Sequence, residues 1–234
     1  VHEGGDRADP TVVARIYLSE AKERTFRLRS VAFDRYAVSG QWTSTLDRRT
    51  VIAGILTREA RSTDTIVRIE LEPLEPPVLL LPEHTVAVRM HDDGPLMRDE
   101  QSAVRHEHEG SIVRYQAIVG SDDESSLEPW VDDRRAAYLA VPRELSPRIR
   151  ALAHEWTRDA TSDLAKARAI ERHLKDDFRY TLAQDGLHAS DPLDAFLFNT
   201  KTGHCEHFSS SMAILLRVVS VPTRNVTGFV GGAR

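Results

Sequence analysis

Cys205 is the one cysteine in a chain of 234 residues, and its surroundings carry the chemistry that can be read first. It stands in Thr202-Gly203-His204-Cys205-Glu206-His207-Phe208, where a loop meets an apolar-periodic run that ends at Val219. A thiol in the first turn of a helix faces unpaired backbone N–H groups and the positive end of the helix dipole. Both favour the thiolate, which is the nucleophilic form of cysteine. Gly203 allows a close backbone approach just before the helix, and Cys205 precedes the apolar stripe instead of lying in it. The competing reading is a small buried hydrophobe, a common fate of a free cysteine. The reactive reading points to acyl transfer of the Cys–His type.

The elements that must position such a thiol are visible on both sides. Phe208, Met212, Leu215, Leu216 and Val219 recur at helical spacing, so one face of the cysteine helix is expected in a core. Ser209, Ser210 and Ser211 are small enough for close packing, and the thiol is then expected at the core's edge beside a cleft. Ser220 to Arg224 reads as a turn, and Asn225 to Val230 as a strand that ends at Gly231-Gly232. Upstream, Ser146-Pro147 places a cap before a proline at the first helical position. That helix runs to about Arg158 and buries Ile149, Leu152, Ala153 and Trp156. Ser162 caps a second helix with Leu164, Ala167, Ile170, Leu174 and Phe178 inward. Asp191-Pro192 begins a third, short one. Trp130 and Tyr180 are candidate cleft aromatics, although aromatics at such positions are usually core.

The stretch GHCEHFSSSMAILLRVVSVPTRNVTGFVGG, Gly203 to Gly232, resembles the core of the transglutaminase-like superfamily. More narrowly it is similar to the bacterial membrane-anchored branch. That branch shows a glycine-aromatic-Cys-Glu-His-aromatic helix start followed by Pro-x-Arg-x-Val-x-Gly. Here His204 occupies the position that is often aromatic. Asp177 to Thr181 and Asp191 to Leu197 extend the resemblance, which runs from about Trp130 to the end.

The resemblance implies a papain-like cysteine-enzyme core. In it Cys205 attacks an amide of a protein or peptide substrate and passes the acyl group, through a thioester, to an amine or to water. Gly203, His204 and Glu206 are then candidate cleft or oxyanion-region residues. In this superfamily a histidine and an aspartate follow the cysteine helix, and the sequence is expected to stop at Arg234 before them. His207 is two residues beyond Cys205 and points away from it on a helix. His204 is expected to line the cleft or face solvent, His188 lies in a loop, and His173 adjoins the buried stripe as a structural residue. No cofactor is implied. The resemblance also implies the extracytoplasmic face of a bacterial membrane, with the anchor in segments outside these residues. An unpaired cysteine in such an oxidising compartment is expected to be kept for reactivity.

The first half of the chain reads as β. Thr11 to Leu18, Thr25 to Phe33, Gln41 to Thr43, Thr65 to Glu72, Val78 to Leu81, Val86 to Met90 and Ser111 to Val119 are short strands at sandwich-like spacing. Phe26, Leu28 and Val31 are core candidates; Val67, Ile69 and Leu71 share one face against Arg68, Glu70 and Glu72. Pro73, Pro76, Pro77 and Pro82 argue against helix. The acidic run Ser121 to Pro129 reads as a linker. The expected fold class is therefore α+β: a β-rich domain over 1–120, a linker over 121–129, and a transglutaminase-like core over 130–234.

His106 and His108 share a strand face at the spacing of a metal-ligand pair. Two donors do not make a site, so a solvated, charged hairpin is expected and no metal is assigned. A net charge of −5 gives no electrostatic case for nucleic acid. The apolar run Met212 to Val219 is far below a membrane span and is broken by Arg217. One cysteine excludes an intramolecular disulfide. The leading expectation is a cofactor-independent thiol acyltransferase or hydrolase. Its alternatives are a cysteine peptidase of the same superfamily and a non-catalytic cell-envelope interaction module with a degenerate core.

Overall fold

The computed structural model describes residues 12–18, 27–92, 94–107, 110–121, 132–182 and 190–231. The chain forms two compact units, and neither is continuous in sequence. The first comprises Val1–Ala32, Leu46–Trp130 and Val226–Arg234, and the second Phe33–Thr45 and Val131–Asn225. Of the acidic run, 122–129 lie outside the described residues, as do Phe26, Trp130, His108 and His188.

The first unit is built on antiparallel strands. β1 (Ala14–Leu18), β6 (Thr65–Leu71), β11 (Val113–Val119) and β8 (Thr85–Met90) form one sheet in the order β1-β6-β11-β8. The register pairs Leu71 with Val113, Ile69 with Tyr115 and Val67 with Ala117. All six side chains are buried. That is the period-2 consequence of a sheet with one covered face. Glu70 and Glu72 point the other way and pair with Arg114 and Arg15, in exposed contacts that add little stability. A second sheet joins β10 (Val104–His106), β9 (Leu96–Asp99) and β5 (Arg49–Ile52). A third joins β14 (Asn225–Val230), β2 (Arg27–Phe33) and β7 (Leu81–Pro82). The strands β5, β9 and β10 are only 4, 4 and 3 residues long, too short for alternation to reveal them.

Two readings of this unit change. Along β2 the buried residues are Leu28 and Ala32, and Val31 is only half-buried, because the face that Leu28 defines repeats every second residue. His106 is 2% exposed and not part of a solvated hairpin. Its Nε2 lies 3.0 Å from Asp92 Oδ1 and its Nδ1 3.3 Å from the Pro95 carbonyl oxygen. Gly94 makes room for it, since a Cβ there would sit 2.3 Å from His106 Cε1. Gly228, the glycine of the Pro-x-Arg-x-Val-x-Gly run, has an equally direct cause. A Cβ at 228 would stand 1.9 Å from the Leu28 carbonyl oxygen, so no side chain fits where β14 meets β2.

The second unit is mostly helical. A short hairpin of β3 (Arg35–Tyr36) and β4 (Trp42–Thr43) precedes α1 (Asp132–Leu139), α2 (Pro147–Trp156) and α3 (Asp163–Asp177). Then come β12 (Arg179–Tyr180), α4 (Pro192–Ala195) with a π-helical turn over Phe196–Thr200, β13 (Thr202–Gly203) and α5 (Cys205–Val218). Ser162 caps α3 by accepting the Ala165 N–H, and Asp191 caps α4 by accepting that of Asp194. Ser146 precedes Pro147 but makes no cap bond; its hydroxyl bonds Asp194, which Arg148 also holds. Leu164 is 60% exposed and not inward, because the buried stripe of α3 begins a turn later and centres on Ile170 and Leu174.

The core of this unit gathers Ile149, Ala153, Ile170, Leu174, Leu193, Phe196 and Leu197 around Ile214, Leu215 and Leu216 of α5. The buried face of α5 also contains Ser210, Ser211, Ala213 and Arg217, while Phe208 and Met212 are only half-buried. Arg217 is 3% exposed. Its Nη1 donates to the carbonyl oxygens of Asp34 at 2.6 Å and Ala140 at 2.7 Å. Its Nη2 donates to the Thr223 carbonyl at 2.6 Å and its Nε to Thr223 Oγ1 at 3.1 Å. Trp42 lies 5.2 Å from the guanidinium and donates its indole N–H to Ser210 Oγ at 2.8 Å. Burial pulls the Arg217 pKa down to about 10, with Asp34 and Tyr138 opposing, so the group is still a cation at neutral pH.

Replacing this fork should therefore be costly. Arg217→Met leaves three carbonyl oxygens without their donor, each worth roughly 1–3 kcal/mol when buried. The unfolding midpoint in urea is expected to drop steeply. Arg217→Lys should recover only part of the loss, because one ammonium cannot span acceptors that a planar fork reaches together.

Candidate active site

Cys205 is exposed, at the first helical position of α5. The buried-hydrophobe reading is therefore excluded. The chain reaches that position by a controlled path. The π-helical turn ends at Lys201, whose φ of 52° reverses the backbone and whose N–H bonds back to the Phe196 carbonyl at 3.1 Å. β13 then runs parallel to β12, tied by Arg179 N–H to Lys201 O and Thr181 N–H to Gly203 O, both 2.9 Å. These bonds deliver Gly203 and His204 to the helix start in extended conformation.

The start of α5 is closed by two histidines. His204 is the N-cap, and its Nδ1 accepts the Glu206 N–H at 3.4 Å. His207, three residues on, accepts the His204 N–H through its own Nδ1 at 3.4 Å. This is the reciprocal capping box usually made by Ser or Thr with Glu, here made by two imidazoles. Their ring centroids are 4.4 Å apart, edge to face, and the Phe196 ring lies 5.4 Å from that of His207. Gly203 is buried against His207: a Cβ at 203 would meet His207 Cγ at 2.8 Å. Burial pulls the His207 pKa below the ordinary histidine value, the neighbouring His204 acts in the same direction, and Glu206 opposes both.

Three orphan N–H groups of the first turn thus find acceptors: that of His204 through His207 Nδ1, that of Glu206 through His204 Nδ1, and that of His207 through the His204 carbonyl. The Cys205 N–H has none among the described residues. An open amide on the residue that bears the thiol, at the positive end of a helix, is where negative charge is best tolerated. Glu206 is exposed in the same turn.

The candidate site residues therefore divide. Cys205 and Glu206 face solvent, His204 is half-buried in the cap, and Gly203 is buried behind His207. No described histidine hydrogen-bonds the thiol. His173 stacks on Trp156 at 4.6 Å and lies 3.1 Å from Asp177, a structural arrangement. Tyr180 is 57% exposed on β12, 6.2 Å from the Phe208 ring, so it is not core. The pairing of His204 with His207 is the feature that sequence reading missed. Its signal was the spacing from N-cap to third helical residue, the same spacing as in Ser-x-x-Glu.

Residues 150–234 match the transglutaminase-like superfamily. This part of the chain is similar to that superfamily. The matched segment holds most of α2, all of α3 to α5, and β14. Over 110 residues the chain is 37% identical to a protein-glutamine gamma-glutamyltransferase of Pseudomonas aeruginosa, covering 47% of this chain and 16% of that protein. Over 98 residues it is 37% identical to the uncharacterized protein YebA of Bacillus subtilis, covering 41% of this chain and 13% of YebA. The chain thus spans a small part of the length of these relatives. In fold it is similar to the periplasmic domain of TgpA from Pseudomonas aeruginosa, with a TM-score of 0.76 at 22% identity, over 97% of this chain and 77% of that one. The same domain bound to ethylmercury gives 0.72 at 22% identity, over 94% and 77%. The expected α+β class, with antiparallel strands followed by a transglutaminase-like core, is the one observed.

The cap of this transglutaminase-like helix yields a direct test. Gly203→Ala places a methyl group where the root of the His207 ring now lies, so His207 must leave the cap. The loss should be about 0.5–2 kcal/mol, the worth of an N-cap. It is measured as a lower unfolding midpoint, and His204→Ala should give a loss of the same order.

Proposed function

We propose that this chain carries the nucleophile of a thiol acyltransferase or hydrolase acting on carboxamide groups of proteins or peptides. The observation that carries the reading is the exposed Cys205 thiol at the start of a buried helix, with no acceptor for its own N–H among the described residues. In the first step Sγ bonds to the amide carbon as its C–N bond breaks. Ammonia leaves with the thiol's proton, and a thioester remains. In the second step an amine or water attacks that thioester, and the proton it loses restores the thiol. The oxyanion of each tetrahedral intermediate falls near the Cys205 N–H. The proton relay belongs to groups other than His204 and His207, whose Nδ1 atoms are held in the cap. The relative named protein-glutamine gamma-glutamyltransferase supports glutamine as the acyl donor.

The setting we propose is the extracytoplasmic face of a bacterial membrane, in a parent protein anchored through other segments. The similarity to a periplasmic domain supports it. No helix among the described residues is long and apolar enough to cross a membrane.

The test uses the full-length protein with a glutamine-containing peptide, with and without a primary amine. Ammonia release and amine incorporation are expected, and Cys205→Ser should lower the rate at least about 10³-fold, as removal of a covalent nucleophile does. Ammonia release that survives Cys205→Ser would remove this residue from the mechanism. Backbone cleavage in place of ammonia release would indicate cysteine-peptidase chemistry.

A further inference from the structure

We infer that His204 and His207 are positioning residues that hold Cys205 through their reciprocal cap, and that taking up a proton on either imidazole opens it. An imidazole accepts a hydrogen bond only through a nitrogen that carries no proton. In this cap both acceptors are Nδ1, so each neutral ring must carry its proton on Nε2. A second proton turns Nδ1 into a donor that faces a backbone donor, and the bond is replaced by repulsion. Cys205 lies between the two capped positions. When the cap opens, the first turn of α5 loses its fixed relation to the thiol.

The surroundings make the neutral state of His207 the folded one. The titratable groups that act on His207 are His204, at 4.4 Å between ring centroids, and Glu206. Phe196 from the π-helical turn and Gly203 from β13 pack on it without charge. The positive end of the α5 dipole also opposes a cation there. The pKa of His207 in the folded protein is lowered, by burial first and by His204 second. The unfolded chain then takes up the proton first as pH falls. The contribution of His207 to stability is complete above its unfolded pKa and is lost as pH falls from there toward the folded value. The cap is closed at neutral pH and opens on the acid side.

The inference rests on the proposed role of Cys205 for its catalytic meaning, but it is read out without turnover. The rate of alkylation of Cys205 by iodoacetamide is measured from pH 5 to pH 9. A lone thiol loses reactivity tenfold per pH unit below its pKa; the wild-type rate should fall more steeply than that on the acid side. In the double variant His204→Asn and His207→Asn, each amide oxygen stands in for Nδ1 and does not titrate, and asparagine is a favoured N-cap. That variant should keep the neutral-pH rate within about twofold and lose the extra steepness, whereas His207→Ala should be several-fold slower at neutral pH. Nitrogen-15 shifts of the two imidazoles should report the Nε2–H tautomer at neutral pH. Superimposable acid limbs for the wild type and the double asparagine variant, or an Nδ1–H tautomer in either ring, would overturn the inference. Either result could stand beside Cys205-dependent ammonia release, so it would leave the proposed function intact. Conversely, a steep acid limb in a protein that releases no ammonia would uphold the cap while the proposed function fails.

Discussion

A single buried guanidinium organises the helical unit. Arg217 sits deep in the packed face of α5, where an unpaired charge would be expensive, and it is tolerated because backbone carbonyls surround it. Its acceptors come from the hairpin lead-in at Asp34, from the end of α1 at Ala140 and from the turn at Thr223. Thr223 in turn donates its hydroxyl to the Ala213 carbonyl and its N–H to that of Tyr138. One side chain therefore sets where three chain segments can lie against α5. It also explains why residues 33–45 belong to the helical unit although they lie between strands of the other one. Trp42 reinforces the same attachment through Ser210.

The two ends of α5 are solved by opposite means. Near its C-terminus a cation is saturated by carbonyls, and at its N-terminus orphan N–H groups are taken by imidazole nitrogens and by the His204 carbonyl. The middle is held by Ile214 and Leu215, which are fully buried. A helix anchored this way can leave its first residue in solvent without fraying. That is what the proposed nucleophile needs: a rigid support and an accessible sulfur. Gly203 and Gly228 serve the arrangement by absence, one leaving space for His207 and the other for the Leu28 carbonyl.

Much of this was legible from local pattern. The starts of α3 and α4, the position of Cys205 at a helix start and the strand after Arg224 follow from capping residues and apolar spacing, which act within a few positions. Val67, Ile69 and Leu71 were equally clear, since one covered sheet face writes itself into alternation. Legibility failed where a residue's partner is remote. Arg217 reads as an interruption of an apolar run until Asp34, 183 residues away in sequence, supplies a carbonyl. His106 reads as a hairpin histidine until Gly94 lets it under the loop that carries Asp92 and Pro95. The cap of α5 is local and still hard to read, because its two partners are imidazoles and not the Ser or Thr and Glu that mark a capping box.

The sequence by itself determined that a helix begins at Cys205, that a glycine and a histidine precede it, and that a strand follows a turn after it. Hydrophobic period, cap chemistry and turn residues set these over a few positions, and they need no fold to act. Only the tertiary structure decided that the thiol stays exposed and that Arg217 is a buried cation. Each of these depends on which distant donors, acceptors and side-chain volumes arrive at the same place. Burial and hydrogen-bond satisfaction are properties of that place, and no stretch of sequence contains it.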